Sequence, residues 1–204
     1  MTGGCLGSLK GLWNVVLSGY PRSGKTTLAK RLVQDYSLFA RVSVDELRCM
    51  LFYERYPCRD EYLVYSLVAD LRDRLLQKGY SVVIDSTAPD NVTRQFLLTS
   101  RVESASKLLV VLNVDRDILL KRSLQTFGST ILVDAYDRRW ENPKENIAVY
   151  KFRSNTQEEF ETHYVKLKEI LESEVHASKP EYHPVLPALR EIRRTFRTLL
   201  RKNS

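Results

Sequence analysis

The stretch Gly19-Tyr-Pro-Arg-Ser-Gly-Lys-Thr-Thr27 sets two glycines with four residues between them and follows them at once with Lys25 and Thr26. Leu12 to Leu17, just before it, is an apolar run that reads as a buried strand, and Leu28 to Val33 reads as an amphipathic helix. The glycines therefore sit on a strand-to-helix turn, the setting in which G-x-x-x-x-G-K-[ST] cradles a polyphosphate. Gly19 and Gly24 can take backbone angles closed to other residues, so successive amide N–H groups of the loop through Pro21, Arg22 and Ser23, proline itself donating none, can curl around an anion. The helix beginning near Gly24 turns its positive end toward the same place. Lys25 supplies a mobile charge for the β- and γ-phosphates of ATP, Thr26 a hydroxyl for Mg²⁺, and Thr27 closes the loop.

Carboxylates at other strand ends extend this site. Ala40 to Val44 reads as a second strand with Asp45 directly after it and a helix from Glu46 to Met50; Ser81 to Ile84 reads as a third, ending in Asp85. Lys107 to Asn113 reads as a fourth strand and Ile147 to Phe152 as a fifth, with helices over about 60–78, 91–100, from 116, and 156–171. The helix over 60–78 carries Leu63, Leu67, Leu71, Leu75 and Leu76 at helical spacing and stops at Gly79. Alternation of strands and helices predicts an α/β fold, a P-loop NTPase with a five-stranded, mostly parallel sheet covered by helices on both faces. Ligands in such sheets lie beyond the carboxyl ends of the strands, where Gly19 to Lys25, Asp45 and Asp85 converge. Asp85 is expected to support the metal. Asp45 and Arg48 share a helix face, which suits either a helix cap with a solvated ion pair or a hydroxyl-activating carboxylate beside an anion-binding guanidinium.

The length of 204 residues suits one domain over 1–172, with a lid at about 123–146, followed by a linker and basic helix over 173–204. The net charge of +7 is largely a tail property, since residues 190–204 carry six Lys/Arg against one Asp/Glu. Leu189, Ile192, Phe196, Leu199 and Leu200 share one face of that helix and arginines cover the rest, a pattern for packing on a domain or twin subunit, or for RNA phosphates. The three cysteines match no zinc or redox spacing, so a reducing, cytoplasmic setting is expected, with Cys49 a small buried residue. No apolar run reaches membrane-spanning length.

Four elements in order, Gly19 to Thr27, Val44-Asp45-Glu-Leu-Arg48, Val83-Ile-Asp85-Ser-Thr87 and Leu119-Leu-Lys-Arg122, resemble the P-loop kinase group of the phage polynucleotide 5′-hydroxyl kinases. That group also includes zeta-type toxins, small-molecule phosphotransferases and an aminoacyl-tRNA kinase. The resemblance implies a nucleoside/adenylate-kinase-like fold and ATP-dependent transfer to a hydroxyl. Asp45 would be the general base and Arg48 the contact to the phosphate beside the reacting hydroxyl, which would make a nucleic-acid 5′ end, RNA or DNA, the leading acceptor and a small metabolite or tRNA-attached hydroxyl the second. A nucleotide-dependent switch protein is the competing class. The chain departs from the pattern at Ala88 and Thr126, where the group carries Asn and a lid arginine; Arg122 with Arg138 or Arg139 would serve the lid instead. Tyr53, Tyr56, Tyr62 and Tyr65 with Arg55 and Arg59 lie where an acceptor would, either to stack on bases or as half-buried helix tyrosines.

Overall fold

Strand β1 (Trp13–Gly19) is buried at every position, the signature of a strand covered on both faces. Its side chains divide by parity. Trp13, Val15 and Leu17 pack with α1 (Lys25–Asp35) and α7 (Gln157–Glu172), while Val16 packs with α2 (Val44–Phe52), α3 (Glu61–Gln77) and α4 (Asn91–Leu98). β2 (Phe39–Ser43), β3 (Ser81–Asp85), β4 (Ser106–Asn113) and β5 (Val149–Arg153) complete a sheet ordered β2-β3-β1-β4-β5, and every strand pair in it is parallel. The chain leaves β1 toward β2 and β3 on one side and returns to β4 and β5 on the other. The crevice at that reversal opens at the end of β1, where the glycine loop stands. Helices α5 (Arg116–Phe127) and α6 (Ile131–Asp137) rise beyond β4 and form the segment expected as a lid. The computed structural model describes residues 9–144 and 146–173, and among them no helix is long and apolar enough to cross a membrane. The linker and basic helix expected over 173–204 fall, past Ser173, outside the described residues.

Register levels the functional tips. Gly19 stands opposite Leu112 of β4, and Ser43 stands opposite Asp85 of β3. At the other end of β1, buried polar groups take up helix carbonyls: Asn14 Nδ2 donates to the carbonyls of Leu97 and Leu98 (3.0 and 3.1 Å), and Trp13 Nε1 donates to that of Leu171 (3.1 Å). These helix ends would otherwise leave acceptors unpaired inside the protein.

Two findings about burial go beyond the sequence reading, and one of them corrects an expectation. The Cys49 expectation is the one corrected; the other finding concerns α3, whose leucines at helical spacing divide, Leu63 and Leu71 being exposed while Glu61, Val64, Tyr65, Val68, Arg72 and Leu76 are buried. Glu61 and Arg72 can face inward because each finds a partner there, Arg48 for the first and Asp73 with the carbonyls of Phe96 and Leu97 for the second. Cys49 is exposed, since the short helix α2 buries Val44, Leu47 and Arg48 and carries the next residue outward; Cys58 is the buried thiol.

One side chain joins the pieces that frame the crevice. Arg94, fully buried on α4, donates through Nε to Ser18 Oγ (3.2 Å) and the Ala88 carbonyl (2.9 Å), through Nη2 to the Pro89 carbonyl (2.9 Å) and through Nη1 to the Glu141 carbonyl (2.5 Å). Its ring neighbour is Trp140, 4.6 Å from the guanidinium carbon. The end of β1, the turn after β3 and the chain leaving α6 thus share one cation. Arg94→Ala strips the partner from several buried carbonyls at once and should cost about 3 kcal/mol or more of stability. An unfolding free energy from urea titration within about 0.3 kcal/mol of wild type, at unchanged m-value, would show that these contacts do not hold the crevice together.

Candidate active site

Between β1 and α1 the backbone takes left-handed angles that a phosphate cradle needs, with φ 152° at Gly19, 67° at Arg22 and 96° at Gly24. A Cβ on Gly19 would lie 2.9 Å from Ser23 Oγ and 3.0 Å from the Leu112 carbonyl oxygen, so no other residue fits there. Helix α1 begins at Lys25 without a side-chain cap on its first amides, which leaves its positive end to whatever occupies the loop. Ser154 Oγ donates to the Ser23 carbonyl (2.8 Å) and anchors the loop from the start of α7. Pro21 is half-buried and Ser23 buried, whereas Arg22, Thr26 and Thr27 are exposed at the mouth.

Lys25 folds back across this loop. Its Nζ donates to the carbonyls of Gly19 (3.0 Å) and Tyr20 (2.6 Å) and is buried. Burial pushes its pKa down from its ordinary value to about 8, although Asp85 and Asp45 act in the opposite direction. The cradle, the exposed Thr26 hydroxyl and the nearby Asp85 carboxylate are a donor set suited to a nucleotide polyphosphate and its hard cation.

Asp85 is buried at the tip of β3 and its Oδ2 accepts from Arg41 Nε (3.1 Å) and Nη2 (2.7 Å). Arg41, on β2, also donates to Glu46 Oε1 (2.7 Å). Sequence reasoning missed Arg41, although a basic residue two positions before the end of a short apolar strand is a visible irregularity.

Asp45 lies one residue inside α2 rather than before it. The cap belongs to Ser43, whose Oγ accepts from the Glu46 amide (3.3 Å), so capping does not explain Asp45. Its side chain is 74% exposed and is held by Arg48 Nη1, while Arg48 itself is 5% exposed. The other edge of the Arg48 guanidinium is occupied by Glu61, which accepts from Nε (2.8 Å) and Nη2 (2.9 Å) and also from the Cys58 amide (2.9 Å). Glu61 was read as the opening of a helix and not as part of the site; only the fold brings it under Arg48.

The tyrosines separate. Tyr53 is a left-handed helix end, 94% exposed; Tyr62 is exposed and Tyr65 is core. Tyr56 alone lies between two arginines, its ring 5.2 Å from the Arg48 and 4.8 Å from the Arg139 guanidinium carbon. Arg139 also lies 5.8 Å from the Tyr136 ring, and Tyr136 donates to Thr87 Oγ1 (3.2 Å). Arg138 is the exposed end of α6. Arg122 donates to the carbonyls of Ser154 (2.8 Å), Asn155 (2.9 Å) and Arg22 (3.3 Å), tying α5 to the loop. Tyr20 couples the loop to α6 and the chain after it, donating to Asp137 Oδ1 (2.8 Å) and stacking on Trp140 at 5.2 Å. Burial and the Asp137 contact push its pKa up to about 12. A cavity of about 280 Å³ lies beside Tyr20 under α6, bounded by Arg116, Asp137 and Trp140; Asp45, Arg48 and Asp85 do not line it.

No curated protein sequence matches the chain. Among solved structures it is similar to a sugar kinase from Janibacter sp., at 15% identity and a TM-score of 0.59, over 80% of this chain and 99% of that one. It is also similar to the Mycobacterium tuberculosis APS kinase in complex with AMPPNP and APS, at 15% identity and a TM-score of 0.61, over 80% and 99%. A chain of the Pnkp1/Rnl/Hen1 RNA repair complex aligns at 20% identity with a TM-score of 0.55, over 82% of this chain and 49% of that one. Likeness at these identities is one of fold. Residues 15–126, more than half of the chain, match the AAA domain family, so this protein, with its five parallel strands and glycine-cradled loop, is a member of that family with an α/β P-loop NTPase fold.

Proposed function

We propose that this chain is a kinase that moves the γ-phosphoryl group of ATP to a hydroxyl. The observation that carries the reading is Asp45: an exposed carboxylate, not needed as a cap, held in place by a buried arginine and close enough to the loop to act on the charge of Lys25. A protein that only switched shape with nucleotide has no use for a base on that side.

In this reading the loop amides and Lys25 bind the β- and γ-phosphates, Lys25 exchanging its two carbonyl partners for phosphate oxygens. Asp45 accepts the acceptor's proton as its oxygen forms the new bond to phosphorus, and the bond from phosphorus to the bridging oxygen breaks to release ADP. Arg139, resting on Tyr56 and Tyr136, faces the charge that builds up on the transferring group, and Arg122 keeps α5 registered on the loop. Thr26 and Asp85 would hold Mg²⁺, which neutralises phosphate charge when bound. Residues 1–172 would make up the kinase unit, with 173–204 as linker and basic helix.

For the acceptor, the D-x-x-R resemblance supports a polynucleotide 5′-hydroxyl. The pairing of Arg48 with Glu61 favours a second reading, a small hydroxyl compound, because it occupies the guanidinium edge that a nucleic-acid phosphate would use.

Asp45→Asn keeps the shape and loses the basic oxygen. Transfer should fall about 10²–10⁴-fold in single-turnover assays with γ-labelled ATP while ATP affinity holds. Ser43→Ala should do the reverse, lowering stability by about 1 kcal/mol with transfer intact. Undiminished transfer by Asp45→Asn removes the base assignment, and lost ATP binding reassigns the residue to the nucleotide.

Lys25 generates a prediction about pH. Because its ammonium is disfavoured in the ligand-free fold, the protein gives up this proton above about pH 8, and ATP, which needs the charged form, must bring it back. ATP affinity should therefore be at full strength below pH 8 and weaken about tenfold per pH unit above it. Calorimetry at pH 9 in buffers of different protonation enthalpy should register proton uptake on binding; affinity flat from pH 7 to 10 would reject the role given to Lys25.

A further inference from the structure

We infer that Glu61 is a specificity-determining residue that makes this site select an acceptor whose reacting hydroxyl has no phosphate beside it. The inference rests on the kinase reading above and concerns the acceptor half of the same site.

Two guanidinium groups lie beneath the acceptor side, and each is shared by two carboxylates. Arg48 is held by Glu61 and Asp45, and Arg41 by Asp85 and Glu46. Each cluster sets one cation against two anions, so this floor presents excess negative charge. The Arg48–Glu61 contact is also the more deeply enclosed of the two, with side chains 5% and 6% exposed, and the Cys58 amide fixes the same Glu61 carboxylate. An arginine recognises phosphate by offering two parallel N–H donors along one edge. On Arg48 that edge, Nε with Nη2, already faces Glu61. A phosphate next to the reacting hydroxyl would have to displace a buried, doubly bonded carboxylate or sit against the negative cluster without the fork.

The remaining cations lie outside this enclosed floor, Arg55 being exposed to solvent, where a contact to phosphate is screened and weak. Arg59 is paired with Glu54 at 2.7 Å. Arg139 has no carboxylate partner among the described residues and lies over the rings of Tyr56 and Tyr136; in the kinase reading its charge is used by the transferring phosphoryl group. What the floor does offer a neutral hydroxyl compound is hydrogen bonding: carboxylate oxygens of Asp45, the Thr87 hydroxyl, and the ring of Tyr56 as an apolar wall. Such groups read a polyol or nucleoside by its hydroxyls and not by charge.

The test compares matched acceptors that differ by one phosphate, adenosine against adenosine 3′-monophosphate, with ribitol and glucose as further uncharged probes and a 5′-hydroxyl oligonucleotide as the polymeric one. With γ-labelled ATP, wild type should show kcat/KM at least tenfold higher for its best uncharged acceptor than for either phosphate-flanked one, with a KM for that acceptor insensitive to salt between 50 and 300 mM. Glu61→Gln, which keeps the shape and removes the charge, should raise the ratio of adenosine 3′-monophosphate to adenosine at least tenfold while the KM for ATP stays within twofold. Preference of wild type for the phosphate-flanked acceptors overturns the inference and leaves the kinase reading standing. A uniform fall for all acceptors in Glu61→Gln shows a purely structural role and overturns it too; if that variant does not fold, the wild-type preference and its salt dependence decide alone. Absence of transfer to every probe by a protein that binds ATP removes the kinase reading and this inference with it.

Discussion

Gly19 has no room for a side chain, and the architecture around the site follows from that. Its α-carbon passes within contact of the Leu112 carbonyl on β4, and its amide donates to the Thr87 carbonyl (3.0 Å) just past β3. The last residue of β1 is therefore wedged between the two strands whose ends define the crevice. A Cβ would have to push β4 away or tilt the loop, and with the loop would move Ser23, Lys25 and the start of α1. Close packing transmits such a displacement because the interior holds few voids to absorb it. The loop's phosphate geometry and the sheet's strand order are thus one constraint expressed at two scales.

Around that wedge three polar side chains join separate segments. Arg94 holds the turn after β3 to the chain leaving α6, Arg122 holds α5 to the loop, and Tyr20 reaches from the loop to Asp137 on α6. Arg94 is stabilised by carbonyl oxygens in place of a paired carboxylate, which suits a junction: carbonyls come from several segments at once, whereas a single ion pair joins two side chains. Burial lowers its pKa, yet a guanidinium remains charged under any physiological condition, so the junction is permanent. Lys25 is the opposite case, an ammonium whose depressed pKa makes it responsive to what enters the loop.

How much of this was readable in the sequence depends on how local its cause is. The glycine loop and the strands that lead to Asp45 and Asp85 were legible because turn geometry and apolar runs act over a few residues. The parallel sheet followed from the alternation of elements. Helix α6 was absorbed into the lid because seven residues with Asp134 and Asp137 carry little periodic signal; those acids are explained by Arg116, which bonds both from α5. Likewise the inward charges of α3, Glu61 and Arg72, were not legible because they depend on partners 13 and 24 or more residues away. Cys49 failed for a similar reason: in a nine-residue helix the buried arc is narrow, and a small apolar residue adjacent to it lies outside. Arg94 had no local signature at all, being a basic residue in an amphipathic helix until the lid and the β3 turn close over it.

The D-x-x-R element shows why a motif constrains less than it suggests. Asp and Arg three apart on one helix face can meet without any help, and here they do. What the arginine is then free to bind depends on its remaining donors, and those are settled by α3, a helix the motif does not include. With an apolar residue at position 61, the Nε and Nη2 donors of Arg48 would lose their carboxylate partner and be left to an incoming anion, and the Asp45–Arg48 pair would carry no net charge. With Glu61 the fork is closed, and the same two motif residues become a carboxylate on a rigid, negatively charged mount. The difference between a phosphate-reading and a hydroxyl-reading site can thus lie in a residue 13 positions downstream that touches only the arginine and one backbone amide. Similarity of fold at about 15–20% identity passes over such a residue, because the helix that bears it packs in the same place whichever side chain it carries.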